Sequence, residues 1–115
     1  MIKKILFATL MIGTSMTSIV NAQSSDESNL KAKQKYDKAD KELNTMYRKA
    51  YESLEYAQKP LLKDAQIQWI KFRDSHCKVV ESIYEGGSLQ PALIYDCKTE
   101  ITQHRIAELK SLLEG

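Results

Sequence analysis

Two cysteines and two histidines are the side chains of this 115-residue chain that could take part in the widest range of chemistry. Cys77, Cys97, His76 and His104 are residue types that zinc prefers as ligands. On a helix, however, neighbours such as His76 and Cys77 point about 100° apart. In a helical hairpin, His104 would also lie about 9 Å along the axis from His76, at about 1.5 Å per residue. The spacing therefore does not favour a metal site, and we expect neither a metal nor another cofactor.

The hydroxyl and carboxylate side chains do not favour catalysis either. A nucleophile needs a base that a third group orients, and Ser88 has no histidine at a matching height of the predicted hairpin. A carboxylate pair could hydrolyse glycosides, but it needs a cleft, which three packed helices of this size rarely form. The carboxylates concerned are Glu81, Glu85, Asp96 and Glu100. We therefore expect no enzyme activity.

Residues 1–22 have the pattern of a secretory signal peptide. Lys3 and Lys4 precede an apolar stretch, and compact residues lead up to a cleavage site after Ala22. Glycine, threonine and serine residues interrupt this stretch, so it falls short of the roughly 20 apolar residues of a membrane-spanning helix. We expect a periplasmic or secreted protein without membrane insertion after signal cleavage.

Cleavage would leave residues 23–115, enough for one modest hydrophobic core. It removes two of the 17 basic residues and none of the 15 acidic ones, so the formal net charge falls from +2 to zero. A neutral chain lacks the attraction on which general nucleic-acid binding depends. Residues 23–29 are polar and rich in serine, and we expect them to form a flexible leader before a single domain at 30–115.

Three amphipathic helices account for the expected domain. Residues 30–56 contain no glycine or proline, and their apolar positions recur every three or four residues. Pro60 and Pro91 suit the first turns of two further helices, and Gly86 and Gly87 end the second helix. The sequence predicts an all-α fold, a small antiparallel three-helix domain.

The apolar stripe of the second helix is the most regular in the chain. It consists of Leu62, Ala65, Trp69, Phe72, His76, Val79 and Ile83. Steps of three and four residues are typical of a helix that packs at a shallow angle on a neighbour. The third helix has a less regular stripe that includes Cys97, Ile101, Leu109 and Leu112. We expect both stripes to face the core.

The two cysteines test this arrangement. Export places them in an oxidising compartment, where an even pair most simply forms a disulfide. Cys77 and Cys97 each lie ten residues from Gly87, so they would face each other in an antiparallel hairpin that turns there. The redox argument and the helical periodicity thus predict the same disulfide, which would clamp the second and third helices together.

A polar and aromatic cluster is expected inside the helical sandwich. Counting from the two predicted turns places Trp69 opposite Arg105 and Asn44 beside Arg73. An unpaired guanidinium there would be costly, so we expect Glu100, Asn44 or a carbonyl, together with stacking on Trp69, to hold both arginines. Alternatively, the arginines would contact an anionic ligand. The other members of the cluster are Tyr47 and Gln66.

The predicted turn between the second and third helices is acidic although the expected mature chain is neutral. Its region contains Asp74, Glu81, Glu85, Asp96 and Glu100 against two lysines. Such a patch is usually a solvated face, but it is also how a small protein meets a cationic partner.

Three stretches of the chain resemble a known family. The run AQIQWIKFRDSHC, the turn GGSLQP and the run TEITQHRIAEL are similar to the lysozyme inhibitor LprI N-terminal-like domain family. The matching positions are Asn44, Tyr47, Gln66, Trp69, Arg73, Cys77, Gly86, Gly87, Ser88, Cys97, Thr102, Arg105 and Leu109. The resemblance covers nearly the whole expected mature chain, and it implies an extracytoplasmic helical domain that inhibits lysozyme.

The resemblance and the charge pattern leave two classes of function. The first is an exported inhibitor of lysozyme or another cationic muramidase. It would bind through the hairpin end at Glu81, Glu85, Gly86, Gly87, Ser88 and Asp96. The second is a structural or adaptor module of the cell envelope, whose long first helix contacts another protein. The family positions coincide with the predicted interior cluster, which indicates that they serve the fold more than the activity.

Overall fold

A computed structural model describes residues 16–115, with side chains from residue 24 onward. Helix α1 spans Met16–Ser53, α2 spans Lys59–Ile83 and α3 spans Gln90–Glu114. This part of the chain contains no strand, so the predicted all-α fold is confirmed. Most of the expected signal peptide, residues 1–15, lies outside the described residues, and its cleavage stays a prediction.

The start of α1 differs from the expectation. Residues 23–29, which we expected to form a flexible leader, belong to the helix. Asn29 attaches this end of α1 to the hairpin, because its Nδ2 donates a hydrogen bond to the carbonyl of Ser88 at 3.1 Å. Its Oδ1 also accepts one from the backbone N–H of Ala92 at 3.0 Å. No helix within residues 16–115 has the length and apolarity needed to cross a membrane.

Both connections between helices are short and hydrogen-bonded. Near the end of α1, the Ser53 hydroxyl donates to the carbonyl of Ala50 at 2.7 Å. Prolines occupy the first turns of α2 and α3, as predicted. Between these helices Gly86 has a φ of +78°, a left-handed conformation that glycine adopts without a steric penalty. The chain therefore reverses direction within a few residues at the predicted position.

The hydrophobic core is centred on α1 and α3. Helix α1 packs mainly against α3 and contacts α2 at fewer positions. The buried core cluster consists of Leu43, Ala50, Leu62 and Leu109. The predicted disulfide is confirmed: Cys77 and Cys97 join α2 to α3 across a Cα–Cα distance of 5.8 Å. Because α2 has few contacts with α1, this bond is a large part of what fastens α2 to the domain.

The prediction for the inner face of α2 is wrong, because most of the residues placed there are exposed. Phe72, Val79 and Ile83 are 57%, 56% and 67% exposed. The residues that α2 buries are Leu62, Gln66, Arg73 and Cys77. The disulfide links α2 to α3 through Cys77, Gln66 accepts a hydrogen bond from Arg105 of α3, and Arg73 bonds to the neighbouring Asp74. Periodicity showed that one face is apolar, but it did not show that a neighbour covers that face.

The stripe predicted for α3 is partly correct. Leu109 is fully buried and Cys97 is half-buried. Leu112, near the C-terminal end, is 45% exposed because neither of the other helices covers it. The remaining inner positions of α3 are the small residues Ala92, Thr99 and Thr102. Small side chains at these positions allow α1 to approach α3 closely.

Candidate functional site

Arg73 is a buried cation at the centre of the domain. Its side chain is 8% exposed, and its Nε donates a hydrogen bond to Asp74 Oδ1 at 3.0 Å. Asp40 of α1 lies 4.0 Å from its Nη1. The guanidinium carbon lies 5.1 Å from the ring centroid of Trp69 and 5.5 Å from that of Tyr36. Two carboxylates and two aromatic rings therefore compensate the charge that burial would otherwise destabilise.

These contacts bear on the two interpretations of Arg73. The expected stacking on Trp69 is confirmed, whereas the acidic partners are Asp74 and Asp40 instead of Glu100 or Asn44. Two carboxylates already balance the charge of Arg73, and its side chain is 8% exposed, which favours the structural interpretation over an anionic ligand. Its role is to join α2 to α1.

The pKa and the ring contacts of Tyr36 are both determined by the same cluster. Burial raises the pKa of Tyr36, and the nearby guanidinium of Arg73 opposes that effect to a smaller extent. Its ring also lies 5.8 Å from the ring of Tyr95 and 5.9 Å from Lys98 Nζ, both on α3. The ring of Tyr36 thus lies where the three helices meet.

Arg105 has a different partner from the one predicted. Its Nε donates a hydrogen bond to Gln66 Oε1 at 3.0 Å, and its Nη1 lies 3.1 Å from Glu108 Oε2. The prediction that Trp69 pairs with Arg105 is therefore wrong, since Arg105 pairs one turn earlier on α2. This bond explains why a glutamine occupies a buried position, as Gln66 is 7% exposed.

The other family positions divide between core and surface. Thr102 and Leu109 are fully buried, and Tyr47 is half-buried with its pKa raised by desolvation. Asn44 is exposed, so it is not an interior residue as predicted. It lines a surface groove between α1 and α2 together with Tyr47, Gln66 and Arg73.

The hairpin end is exposed but held in place. Gly86, Gly87 and Ser88 are all accessible to solvent. The N–H of Gly87 donates to the carbonyl of Tyr84 at 3.0 Å, and a methyl group at Gly87 would lie only 3.1 Å from that carbonyl. Asn29 of α1 holds the carbonyl of Ser88 from the other side. The predicted turn is therefore a braced surface feature.

The carboxylates near this turn are separated by the two helices. Glu81 is exposed in the last turn of α2 and Glu85 is exposed in the turn that follows, and Gln90 Nε2 donates to the backbone carbonyl of Glu81 at 2.8 Å. Asp96 is exposed on α3. Within residues 16–115, no ion pair involves any of these three carboxylates. No close cation among the residues whose side chains the structure describes neutralises these negative charges.

Sequence reasoning missed three residues at this end. Tyr84 and Leu89 are 47% and 45% exposed and give the acidic turn an apolar component. Asn29 braces the turn, although it had been assigned to the leader. Its residue type was a signal, since asparagine is a strong helix-capping residue. Nothing in the sequence showed that the helix it caps would be α3.

The described residues do not form a cluster of histidine, cysteine and carboxylate side chains suited to a metal ion. His76 contacts Phe72 on the exposed side of α2, with ring centroids 5.6 Å apart. The cysteines are joined to each other. Taken together, the geometry defines a small disulfide-clamped three-helix protein with a braced, exposed acidic turn.

Comparison with known proteins shows the family to which this chain belongs. The profile of the family described as "Lysozyme inhibitor LprI" matches residues 19–109, so the chain belongs to the lysozyme inhibitor LprI family. It is 37% identical over 100 residues to an uncharacterized protein of Rhizobium meliloti (strain 1021). That alignment covers 76% of this chain and 72% of the relative. No solved structure gives a significant match.

Proposed function

We propose that this protein is exported and inhibits a lysozyme-type muramidase by binding it through the end of the α2–α3 hairpin. The observation that carries the proposal is the pair of exposed carboxylates, Glu81 and Glu85, beside a turn that is itself held in place. Membership of the LprI family supports the class of target. The protein would act as a stoichiometric binder, without an enzymatic step.

Charge favours a cationic target at this surface. Because Glu81 and Glu85 form no ion pair within residues 16–115, their full charge is available to attract an approaching basic protein. Complementary charge of this kind mainly accelerates association, and salt weakens it. Asp96 would act at the rim, as an additional negative charge on α3. The exposed ring of Tyr84 and the exposed side chain of Leu89 would supply the apolar contact that charge alone does not provide.

The turn also has little freedom to lose on binding. Cys77 and Cys97 join the two arms about ten residues from Gly87, and Gly86 adopts the left-handed conformation that the reversal requires. Asn29 adds two hydrogen bonds from α1. A loop fixed in this way pays less ordering entropy when it binds, which favours affinity.

A turbidity assay tests the proposal. The oxidised protein, recovered after export, is titrated into lysozyme acting on cell-wall substrate. We expect lysis to slow until the inhibitor equals the enzyme in concentration. Protein with the disulfide reduced and alkylated provides the control and should inhibit less. Full lysozyme activity at an excess of the oxidised protein would favour the envelope-adaptor function instead.

A further inference from the structure

One face of α2 is apolar, exposed and without a partner in the domain. We call it the outer stripe: Leu61, Ala65, Phe72, His76, Val79 and Ile83. The four large apolar side chains of the stripe are between 56% and 69% exposed: Leu61, Phe72, Val79 and Ile83. Large apolar side chains at such regular helical spacing are usually buried. Among residues 16–115, neither α1 nor α3 covers this face.

The outer stripe is also free of charge along its whole length. Its members recur in steps of three, four or seven residues, so they lie within about 40° of the Phe72 direction at about 3.6 residues per turn. Only the neutral residues Gln68 and Ser75 interrupt it on this side. An uncharged seam over 23 residues, from Leu61 to Ile83, is typical of a helix that packs lengthwise against another helix.

We propose that the outer stripe is the interface with a second copy of this chain, in which the two α2 helices pack antiparallel across a two-fold axis at Phe72. The stripe is symmetric about that residue. Leu61 and Ile83 lie eleven residues on either side of Phe72, and Ala65 and Val79 lie seven. An antiparallel pairing therefore places apolar residues opposite each other at three levels and puts His76 opposite the neutral Gln68, and the same patch serves both copies, as an isologous interface requires.

The charges beside the stripe favour the same arrangement. Asp64 and Lys78 are exposed on the same flank, and neither forms an ion pair within residues 16–115. In an antiparallel pair, this flank of one helix faces the same flank of its partner. Asp64 of one copy would then lie near Lys78 of the other, and symmetry produces the pair twice. The exposed Lys71 of each copy would lie near the axis on this flank, and its repulsion offsets part of that gain. A parallel pairing would instead place this flank beside the opposite flank of the partner helix, so Asp64 and Lys78 would not meet.

The expected association is weak. The stripe is about 33 Å long at about 1.5 Å per residue and one helix wide, which is small among specific interfaces. The dimer should therefore exchange with monomer as the concentration changes. The stripe ends at Ile83, beside the hairpin end, and its centre at Phe72 lies about three helical turns from the surface proposed for muramidase binding.

Sedimentation velocity of the oxidised, exported protein over a wide concentration range tests the proposal. Wild type should shift from monomer to dimer as concentration rises. Phe72→Glu should stay monomeric at every concentration, because it places two carboxylates at the axis, while its circular dichroism remains that of the wild type. Leu112→Glu, which charges an exposed apolar site on α3, is the matched control and should dimerise normally. A monomeric wild type, or a dimeric Phe72→Glu variant, would overturn the proposal.

A charge exchange tests the antiparallel register. Asp64→Lys and Lys78→Asp should each weaken dimerisation by about tenfold, since each places like charges at two symmetric sites. The double variant should return most of that loss. Asp26→Lys and Lys110→Asp change the same charges away from the stripe and should leave the dissociation constant unchanged. A double variant weaker than both single variants would overturn the antiparallel pairing.

Discussion

The side chain of Asn29 in α1 caps the N-terminus of α3, because its Oδ1 accepts a hydrogen bond from the backbone N–H of Ala92 at 3.0 Å. The first N–H groups of a helix have no partner inside that helix, and a side-chain acceptor usually comes from a residue nearby in sequence. Here the acceptor lies 63 residues away. The same amide donates to the carbonyl of Ser88, so one side chain ties α1 to both the turn and the helix after it.

Replacing this cap should destabilise the domain. Asn29→Ala removes both hydrogen bonds, and we expect a loss of about 1 kcal/mol in the free energy of unfolding. Asn29→Asp keeps the acceptor and puts a negative charge at a helix N-terminus, so it should cost less. Urea denaturation gives both values. Asn44→Ala, an exposed asparagine of the same helix, is the control and should change stability by less than about 0.5 kcal/mol. Equal stability of Asn29→Ala and wild type would show that the cap does not hold in solution.

The disulfide should supply a large share of the stability. Cys77 and Cys97 enclose a short loop, and the chain-entropy estimate for such a loop is about 3 kcal/mol. Reduction should therefore lower the thermal midpoint markedly, and the oxidised protein should contain no titratable thiol. Thermal unfolding with and without reductant, together with a thiol titration, measures both. Two free thiols in protein recovered after export would contradict the assignment.

The hydrogen bond between Arg105 and Gln66 should appear as a coupling energy. In a double-mutant cycle of Arg105→Ala and Gln66→Ala, we expect a coupling of about 1 kcal/mol, because the bond joins a charged donor to a buried acceptor. The same cycle with Trp69→Ala in place of Gln66→Ala is the control. It should give a smaller coupling, since Trp69 stacks on Arg73. A larger coupling energy with Trp69→Ala than with Gln66→Ala would support the pairing of Trp69 with Arg105 that counting from the turns predicted.

Tyr36 should make stability fall at high pH. Burial raises its pKa above the ordinary value of 10.0, so the folded state holds the phenolic proton more tightly than the unfolded chain does. This contribution is complete below the unfolded-state pKa and is lost as pH rises through the folded-state pKa. Denaturation at a series of alkaline pH values should show that Tyr36→Phe flattens the decline. Tyr56→Phe, at a residue that is 92% exposed, is the control and should leave it unchanged.

The sequence was sufficient for the fold because its strongest signals are local. Pro60, Pro91 and Gly86 mark helix boundaries through their own backbone restrictions, and the structure places each where those restrictions apply. The equal spacing of Cys77 and Cys97 from the turn predicted their pairing, which is also correct. The rotation of α2 was not predictable in the same way. Its most apolar face is the outer stripe, and its inner face carries Gln66, whose hydrogen-bond partner Arg105 lies on α3, and Arg73, which lies 4.0 Å from Asp40 of α1.

The interior cluster shows the same limit. Arg73 was expected to be held by stacking on Trp69, four residues earlier on the same helix, and this contact was predictable from local spacing. Its contact with Asp40 depends on how α1 packs against α2. Counting residues along each helix from the turns does not determine that packing. Asn29 is the clearest case, since its function as a cap exists only once α1 and α3 have packed.

The affinity of lysozyme for two matched triple variants tests the central claim most directly. The hairpin variant carries Glu81→Gln, Glu85→Gln and Asp96→Asn, and the control carries Glu52→Gln, Glu55→Gln and Glu114→Gln at exposed sites elsewhere. Both lose the same charge, so isothermal titration calorimetry at low salt separates a local contact from a general effect of net charge. We predict that the control binds like wild type and that the hairpin variant, still folded, binds at least about tenfold more weakly. Equal affinity of the two variants would contradict the assignment of the hairpin end as the binding surface.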